Sequence, residues 1–285
     1  MTYAIEIKNL SKDYQDFSLK NINFNLPTGT IMGLIGENGA GKSTLINSIL
    51  GIVACDYDEL KYFDLDYQRH EKQIKEQIAV IFDGTHYNLE FTPKLIGKIL
   101  SKTYRDWDME TYYQYLQRFD LPINKKLKKY SRGMKMKLEF AIAFSHQAKL
   151  LILDEATSGL DPIARDEILS LIREFTEDEE HTVLISSHIT SDLDKIADYI
   201  AYIHQGKLVF IKSYEEINEE YGIINGNQEL FTTLNQEDIV SYIKEPYSYS
   251  ILVKNRHEIL SVFTDLEIKR PSVEELMLFY VKGVK

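Results

Sequence analysis

The apolar residues of this chain follow two patterns, short strand-like runs and helical stripes. Residues 3–8 and 17–26 alternate β-branched or aromatic residues with polar ones, so both segments are predicted to be strands. Compact apolar segments, which are typical of parallel strands buried on both faces, come later in the chain. These segments are 31–35, 78–82, 150–157 and 182–187. Helical patterns separate them, and we therefore predict an α/β fold.

Residues 92–147 differ from the rest because helical periodicity dominates and β-branched runs disappear. We predict a helical insertion between two halves of one sheet. The segment also carries a basic run, which consists of Lys125, Lys126, Lys128, Lys129, Arg132, Lys135 and Lys137. Such a run is either a solvated helix face or a surface that meets phosphates or anionic lipid headgroups.

The last part of the chain combines a short apolar strand with helical patterns. Residues 249–253 are strand-like, and Ser272 and Glu275 fit a capping box at the start of a final helix. That helix has an apolar stripe, which consists of Leu276, Phe279 and Tyr280 and is either core or a partner site. Residues 213–285 are predicted to form a small α+β appendage that packs on the preceding domain or helps it dimerise.

Composition narrows the class of protein. A chain of 285 residues with 44% hydrophobic content can bury the core of one large domain, or of one domain and a small appendage. The net charge of −11 argues against broad nucleic-acid binding. The single cysteine, Cys55, cannot form an internal disulfide, which favours a reducing compartment. The sequence predicts neither a signal peptide nor a membrane span.

A glycine-rich segment, GENGAGKST at residues 36–44, follows the apolar run 31–35. It fits the phosphate-binding pattern G-x-x-x-x-G-K-[ST], in which backbone N–H groups surround a polyphosphate. Lys42 would reach the outer phosphates, and the Ser43 hydroxyl would bind Mg²⁺. A chance match is the alternative, but strand-like residues precede the loop and helix-like residues follow it, as this loop requires.

Two further segments carry candidate chemistry. The segment LLILDEAT at residues 150–157 contains a short apolar strand that ends in two carboxylates, Asp154 and Glu155. Asp154 would hold a metal ion, and Glu155 can face an attacking water as general base. Alternation along the strand would point the two side chains in different directions. Tyr14 lies ahead of the phosphate loop; it could stack on adenine, or it is a half-buried tyrosine at a strand end.

Three more motifs complete a specific set. YSRGM at residues 130–134 precedes the acidic strand, SGLD at 158–161 follows it, and the strand 182–187 ends in His188. In this order and at these spacings, the motifs resemble those of the nucleotide-binding subunit of ABC transporters. The resemblance covers approximately residues 3–225.

The resemblance implies a P-loop NTPase fold with a RecA-like core sheet, an antiparallel β subdomain and a helical insertion. It implies an ATPase domain at 1–212, with its helical subdomain at about 86–147, followed by the appendage at 213–285. ATP and Mg²⁺ are the implied cofactors. Two ATPase subunits, identical or different, would face each other head to tail, so that each signature motif serves the ATP of the partner.

The resemblance also assigns roles to individual residues. Lys42, Glu155 and His188 would be catalytic, with Glu155 as base and His188 at the γ-phosphate. Residues implied to contact nucleotide are Tyr14, Asn38, Gly39, Ala40, Gly41, Lys42, Ser43, Thr44, Ser131, Gly133 and Asp161. Residues implied to hold the metal are Ser43, Asp83 and Asp154. Asp161, one of the residues implied to contact nucleotide, belongs to the loop that signals between the two sites.

Two departures from the family pattern stand out. The signature is usually Leu-Ser-Gly-Gly-Gln, whereas Tyr130, Arg132 and Met134 replace its first, third and fifth residues here. Asp83 stands where the family has a glutamine; it is shorter and adds a negative charge, although its oxygen can still bind Mg²⁺. Both changes look similar to variants among small exporter ATPases that pair with separately encoded membrane subunits.

We therefore expect the motor subunit of a membrane exporter for peptides or drugs, which lies peripherally on the cytoplasmic face of the membrane and pairs with membrane-spanning permease subunits. The alternative is a soluble ABC ATPase that acts on nucleic acid or ribosomes. The acidic balance and the single phosphate loop favour the first hypothesis, and no nucleic-acid partner is expected. A third possibility, the inactive half of a heterodimer, is disfavoured by the presence of Glu155 and His188.

Overall fold

The computed structural model describes residues 2–84 and 86–284. Its strands are β1 (Tyr3–Asp13), β2 (Ser18–Pro27), β3 (Ile31–Ile35), β4 (Glu59–Tyr62), β5 (Leu65–Asp66), β6 (Ile78–Phe82), β7 (Leu150–Asp154), β8 (Thr182–Ser187), β9 (Tyr199–His204), β10 (Lys207–Ser213), β11 (Gly222–Gly226), β12 (Ile239–Lys244) and β13 (Tyr249–Val253). Its α-helices are α1 (Lys42–Ile49), α2 (Tyr67–Glu76), α3 (Pro93–Leu100), α4 (Met109–Arg118), α5 (Arg132–Ala143), α6 (Pro162–Phe175), α7 (Thr190–Ile196), α8 (Tyr214–Glu220), α9 (Gln228–Thr233), α10 (Arg256–Val262) and α11 (Val273–Lys282).

The central sheet has the order β10-β9-β3-β8-β7-β6. Strands β6, β7, β8, β3 and β9 are parallel, and β10 joins the edge antiparallel to β9. The strands predicted at 31–35, 78–82 and 182–187 are confirmed, and every residue of β3, β7 and β8 is buried. Because parallel neighbours end at the same edge, the segments after β3, β6, β7 and β8 come together there.

An antiparallel sheet of order β2-β1-β4-β5 covers one face of the central sheet. Its apolar side chains share one core with α1 and with the inward side chains of β3, β7 and β8. The strands predicted at 3–8 and 17–26 are confirmed as β1 and β2, which pair from Tyr3 opposite Pro27 to Asp13 opposite Ser18. The turn between β1 and β2 therefore lies at residues 14–17.

The helical insertion lies between two neighbouring strands, β6 and β7, as predicted. Helices α3, α4 and α5 enclose a separate apolar core, whose fully buried members include Tyr112, Leu116 and Leu138. Asp108 caps α4, and Ser131 caps α5 by accepting the Met134 N–H at 3.2 Å. The insertion therefore supplies its own core and fixes the start of α5.

The C-terminal segment forms a small antiparallel sheet of order β11-β13-β12. The capping box of Ser272 and Glu275 is confirmed at the start of α11. Leu276 and Phe279 are buried in the core of the central sheet, and the Tyr280 ring lies 4.9 Å from that of Phe210. The apolar stripe of α11 is therefore core. No helix in the described part of the chain is both long and apolar enough to cross a membrane.

Candidate active site

The phosphate loop joins β3 to α1 and turns sharply at Gly41. Gly41 precedes the first residue of α1 and has a φ of 114°, which a residue with a Cβ rarely adopts. A Cβ there would lie 2.7 Å from a methyl of Leu19 and 2.8 Å from the Phe17 ring. The glycine therefore allows both the turn and the close approach of β2. The first N–H groups of α1 are left free to receive an anion.

Lys42 is almost completely buried, with 5% of its surface exposed. Its Nζ donates to the backbone carbonyls of Gly36 at 2.7 Å and Glu37 at 3.3 Å, and it lies 3.4 Å from Glu155 Oε1. A buried ammonium group needs compensating negative charge. The loop thus presents a preorganised cation to any anion that enters beside it.

Asp154 and Glu155 are fixed by one residue of the neighbouring strand, Ser186. The Ser186 hydroxyl donates to Asp154 Oδ1 at 2.5 Å and accepts the Glu155 N–H at 3.0 Å. Strand β7 ends at Asp154, and Glu155 has a φ of 54°, in the left-handed region. The two carboxylates diverge because of this turn, and not through strand alternation as the sequence analysis assumed. A non-glycine residue held in this region is typical of functional sites.

His188 lies directly after β8 and contacts Glu155. Its Nδ1 is 2.5 Å from Glu155 Oε2. A carboxylate can only accept, so Nδ1 carries the hydrogen of this bond. Glu155 is therefore held from two sides, by Lys42 at Oε1 and by His188 at Oε2, and it lines one opening.

That opening is a cavity of about 710 Å³, within the range of small-ligand sites. Its lining residues are Asp16, Phe17, Glu37, Asn38, Gly39, Gly41, Lys42, Ser43, Thr44, Asp83, Glu155, Ser158 and His188. Most of the residues predicted to bind nucleotide in the same subunit thus meet in one place. Ala40 is buried within the loop, and Asp154, 8% exposed, lies outside the lining set.

Tyr14 is not among the residues that line the cavity. Its side chain is 47% exposed, with Lys12 Nζ 5.1 Å from the ring centroid. Phe17 lines the cavity instead, three residues further on. Phe17 is not predictable from the sequence alone, because the hairpin between β1 and β2 decides which aromatic faces the phosphate loop. Stacking of adenine on Tyr14 stays a prediction, and Phe17 becomes a second candidate.

Ser131, Gly133 and Asp161 meet at a different place, a cavity of about 250 Å³ beside α5 and α6. Ser131 caps α5, and Asp161 caps α6 by accepting the N–H groups of Ile163 and Ala164. Within one subunit, these residues form a site separate from that of Lys42. Two polar helix starts therefore line the second cavity.

Asp83 follows β6 and reaches the edge of the first cavity, where its carboxylate accepts a hydrogen bond from Arg132. The predicted role of Asp83 as a metal ligand did not include this partner. Of the basic run, Lys126 and Lys128 pair with Glu90 and, through hydrogen bonds, lower the pKa of that carboxyl to about 2. Those two lysines behave as a solvated, paired surface.

The residues fit a magnesium–nucleotide complex better than a metal ion alone. In the described residues, no group of three or more His, Cys, Asp or Glu side chains could hold a metal ion. Mg²⁺ commonly takes one or two protein oxygens, with phosphates and water completing its shell. Ser43, which lines the cavity, and Asp154, beside it, are oxygen donors of that kind. The sheet, the glycine-rich loop and the Lys42–Glu155–His188 cluster together define a P-loop ATPase.

Comparison with known proteins agrees with this class. A family model described as ABC transporter matches residues 19–158. The chain is 34% identical to a bacitracin transport ATP-binding protein of Enterococcus faecalis, over 76% of this chain and 70% of that protein. It is 34% identical to a lantibiotic transport ATP-binding protein of Streptococcus pyogenes, over 80% of this chain and 98% of that one. A solved structure of an ATP-binding subunit of an ABC transporter superposes with a TM-score of 0.68 at 25% identity, covering 75% of this chain and 92% of that chain.

The chain belongs to the family of ABC transporter ATP-binding subunits, whose ATPase domains hydrolyse ATP to power transport. The predicted family, fold class and ATPase activity are thereby confirmed.

Proposed function

We propose that this chain is the motor subunit of an exporter for a peptide or drug-like antibiotic and works with separately encoded membrane-spanning permease subunits. It would act as a homodimer or heterodimer, bound peripherally to the cytoplasmic face of the membrane. The observation that carries the proposal is the convergence of Lys42, Glu155 and His188 on one cavity beside the phosphate loop. The relatives named for bacitracin and lantibiotic transport support the choice of cargo.

The residues of the chain would divide the work of phosphoryl transfer. Lys42 binds the outer phosphates, because its buried ammonium is already aimed at the cavity. Glu155 takes a proton from the attacking water, and His188 holds Glu155 in place and contacts the γ-phosphate. Ser43 and Asp154 would hold Mg²⁺, which would neutralise phosphate charge; Asp83 is paired with Arg132 and is left out of this metal site. Positioning and charge stabilisation account for most of the catalysis.

A head-to-tail dimer would complete the site. Ser131, Gly133 and Asp161 lie at a cavity separate from that of Lys42 in the same subunit. If a second subunit faced the first with the two cavities opposed, Ser131 and the start of α5 would add donors to the γ-phosphate. Closure and reopening of this dimer would be the movement that is passed to the permease.

Charge and ion pairing argue against the hypothesis of a soluble ATPase that acts on nucleic acid or ribosomes. The net charge is −11, and Lys126 and Lys128 of the basic run are paired with Glu90. Phosphate-backbone binding needs free cationic side chains. The exporter is therefore the function that we propose.

The test is to express the tagged chain in its native host, solubilise membranes in mild detergent, and identify the co-purifying proteins by mass spectrometry. The proposal expects a multi-span membrane protein in near-stoichiometric amount. A Lys42→Ala chain, purified in parallel, tests whether the association depends on ATP binding. Recovery of the chain only in the soluble fraction, with ribosomal or DNA-associated proteins, would overturn the exporter.

A further inference from the structure

Two of the four positions that depart from the family pattern, Asp83 and Arg132, are in contact with each other. Arg132, the first residue of α5, donates through Nη2 to Asp83 Oδ1, although the two residues are 49 positions apart in the chain. Asp83 lines the larger cavity, whereas Arg132 lines the smaller cavity beside Ser131. One ion pair therefore connects the signature segment at 130–134 with the nucleotide site of the same subunit.

The path of the Arg132 side chain depends on a glycine. Gly159 has a φ of +65°, and a Cβ at this position would lie 2.5 Å from Arg132 Nη1 and 2.8 Å from Cζ. The guanidinium thus lies across the SGLD turn at 158–161 on its way to Asp83. Ser158, the neighbour of Gly159, itself lines the larger cavity. The ion pair consequently reaches the larger cavity through Asp83, and its guanidinium lies next to a neighbour of Ser158.

The charge at the rim of the larger cavity matters for an anionic ligand. Four carboxylate side chains line the larger cavity, those of Asp16, Glu37, Asp83 and Glu155. Lys42 lies beside Glu155, whereas Arg132 is the cation paired with Asp83. Without Arg132, Asp83 would present an uncompensated negative charge to the phosphates of ATP.

A role in fold stability does not account for the pair. The side chains of Arg132 and Asp83 are 44% and 53% exposed, and ion pairs of that kind contribute little to stability. Exposure does not prevent the pair from changing the potential at the cavity, because Asp83 itself lines the space that a phosphate would enter.

We propose that Arg132 is a positioning residue for ATP binding, which holds Asp83 at the cavity rim and neutralises it. The inference rests on the proposed function of the larger cavity as an ATP site. Through this contact, the signature segment is tied to the nucleotide site of its own subunit, in addition to serving the site of a partner. Loss of either the guanidinium or the carboxylate uncouples the two segments.

The test measures the Kd of a fluorescent ATP analogue for the full chain with Arg132→Gln, Asp83→Asn and both changes together, at low and high salt. Arg132→Gln should raise the Kd about three- to tenfold at low salt and less at high salt, because an unscreened carboxylate is left at the rim. Adding Asp83→Asn should restore the Kd, since it removes that carboxylate. Arg132→Lys should retain part of the affinity.

Arg118→Gln is the matched control. Arg118 pairs with Glu174 at a similar exposure, 48% and 41%, but neither residue lines the ATP cavity. Its replacement should leave the Kd unchanged. The inference is overturned if Arg132→Gln has no effect, or if Asp83→Asn does not rescue it. If Lys42→Ala does not weaken binding either, the ATP site itself is wrong; if Lys42→Ala weakens binding, only the Arg132 inference fails.

Discussion

Replacement of Glu155 by glutamine tests the catalytic assignment most directly. The change keeps the size of the side chain but removes its negative charge and its capacity to take a proton. In the structure, Glu155 Oε1 lies 3.4 Å from Lys42 Nζ and Oε2 lies 2.5 Å from His188 Nδ1. A glutamine oxygen can still accept from His188, so the local geometry should persist.

Two effects of opposite sign are expected. Loss of the general base should lower kcat by about 10²- to 10⁴-fold. The attraction between Lys42 and Glu155 at 3.4 Å is about 1 kcal/mol in water-like surroundings and about 5 kcal/mol at an effective dielectric constant of 20. Because the carboxylate competes with phosphate for Lys42, its removal should leave the Kd for ATP unchanged or tighten it by up to about tenfold.

The assay combines steady-state ATP turnover with calorimetric ATP binding, and size-exclusion chromatography with ATP follows trapping of a closed dimer. Glu37→Gln is the matched control, because Glu37 lines the same cavity and accepts a hydrogen bond from Lys42 at its backbone carbonyl, which the substitution retains. The control should keep turnover within about threefold of the parent, since it removes a similar charge from the same cavity without removing a base. Parental turnover by the Glu155→Gln chain would refute the assignment of Glu155 as base.

Three further results are expected. Lys42→Ala should raise the Kd for ATP about ten- to a hundredfold, because it removes charge-assisted hydrogen bonds worth about 1.5–3 kcal/mol, and unchanged affinity by calorimetry would contradict the role of Lys42. Phe17→Ala should weaken binding of a fluorescent ATP analogue about tenfold and Tyr14→Ala much less, since a stacked base is worth about 1–3 kcal/mol; the reverse order would return the stacking role to Tyr14. Burial lowers the pKa of His146 to about 4, whereas the same imidazole in the unfolded chain has a pKa near 6.5. Between these two pH values the unfolded chain binds more protons, so the free energy of unfolding falls as the pH drops. In denaturant titrations, the His146→Phe chain should lose about 2 kcal/mol less stability than the parent between pH 7.5 and 5. Identical pH dependences of the two chains would rule out His146 as the source.

Local patterns were sufficient to predict much of the fold. The predominantly apolar runs that became β3, β6 and β8 are visible in sequence because strands of a covered parallel sheet carry few polar residues. The capping box at Ser272 was equally readable, since both partners lie within four residues of each other. The strand β11 escaped the sequence analysis because its five residues begin and end in glycine and carry only two large apolar side chains.

Contacts between distant segments limited what could be predicted at the site. The presence of Lys42 in a phosphate loop follows from spacing, but its contact with Glu155 depends on how β3, β8 and β7 lie side by side. The pairing of Asp83 with Arg132 joins the end of β6 to the start of α5, across an insertion whose path no local pattern encodes. The left-handed conformation of Glu155 is likewise set by its bond to Ser186, a residue of another strand.

The position of β3 in the central sheet affects how the chain can fold while it is being synthesised. Both neighbours of β3 come from far downstream, with Ile31 opposite Val183 in β8 and Met32 opposite Tyr199 in β9. The strand that carries the phosphate loop therefore leaves the ribosome about 150 residues before its partners, a wait of roughly ten to thirty seconds at ordinary rates of synthesis. During that interval, β3 has neither of the strands with which it pairs, β8 and β9. A nascent chain that ends before β9 would be exposed to chaperones and proteases, and nucleotide could protect it only after the second half had emerged.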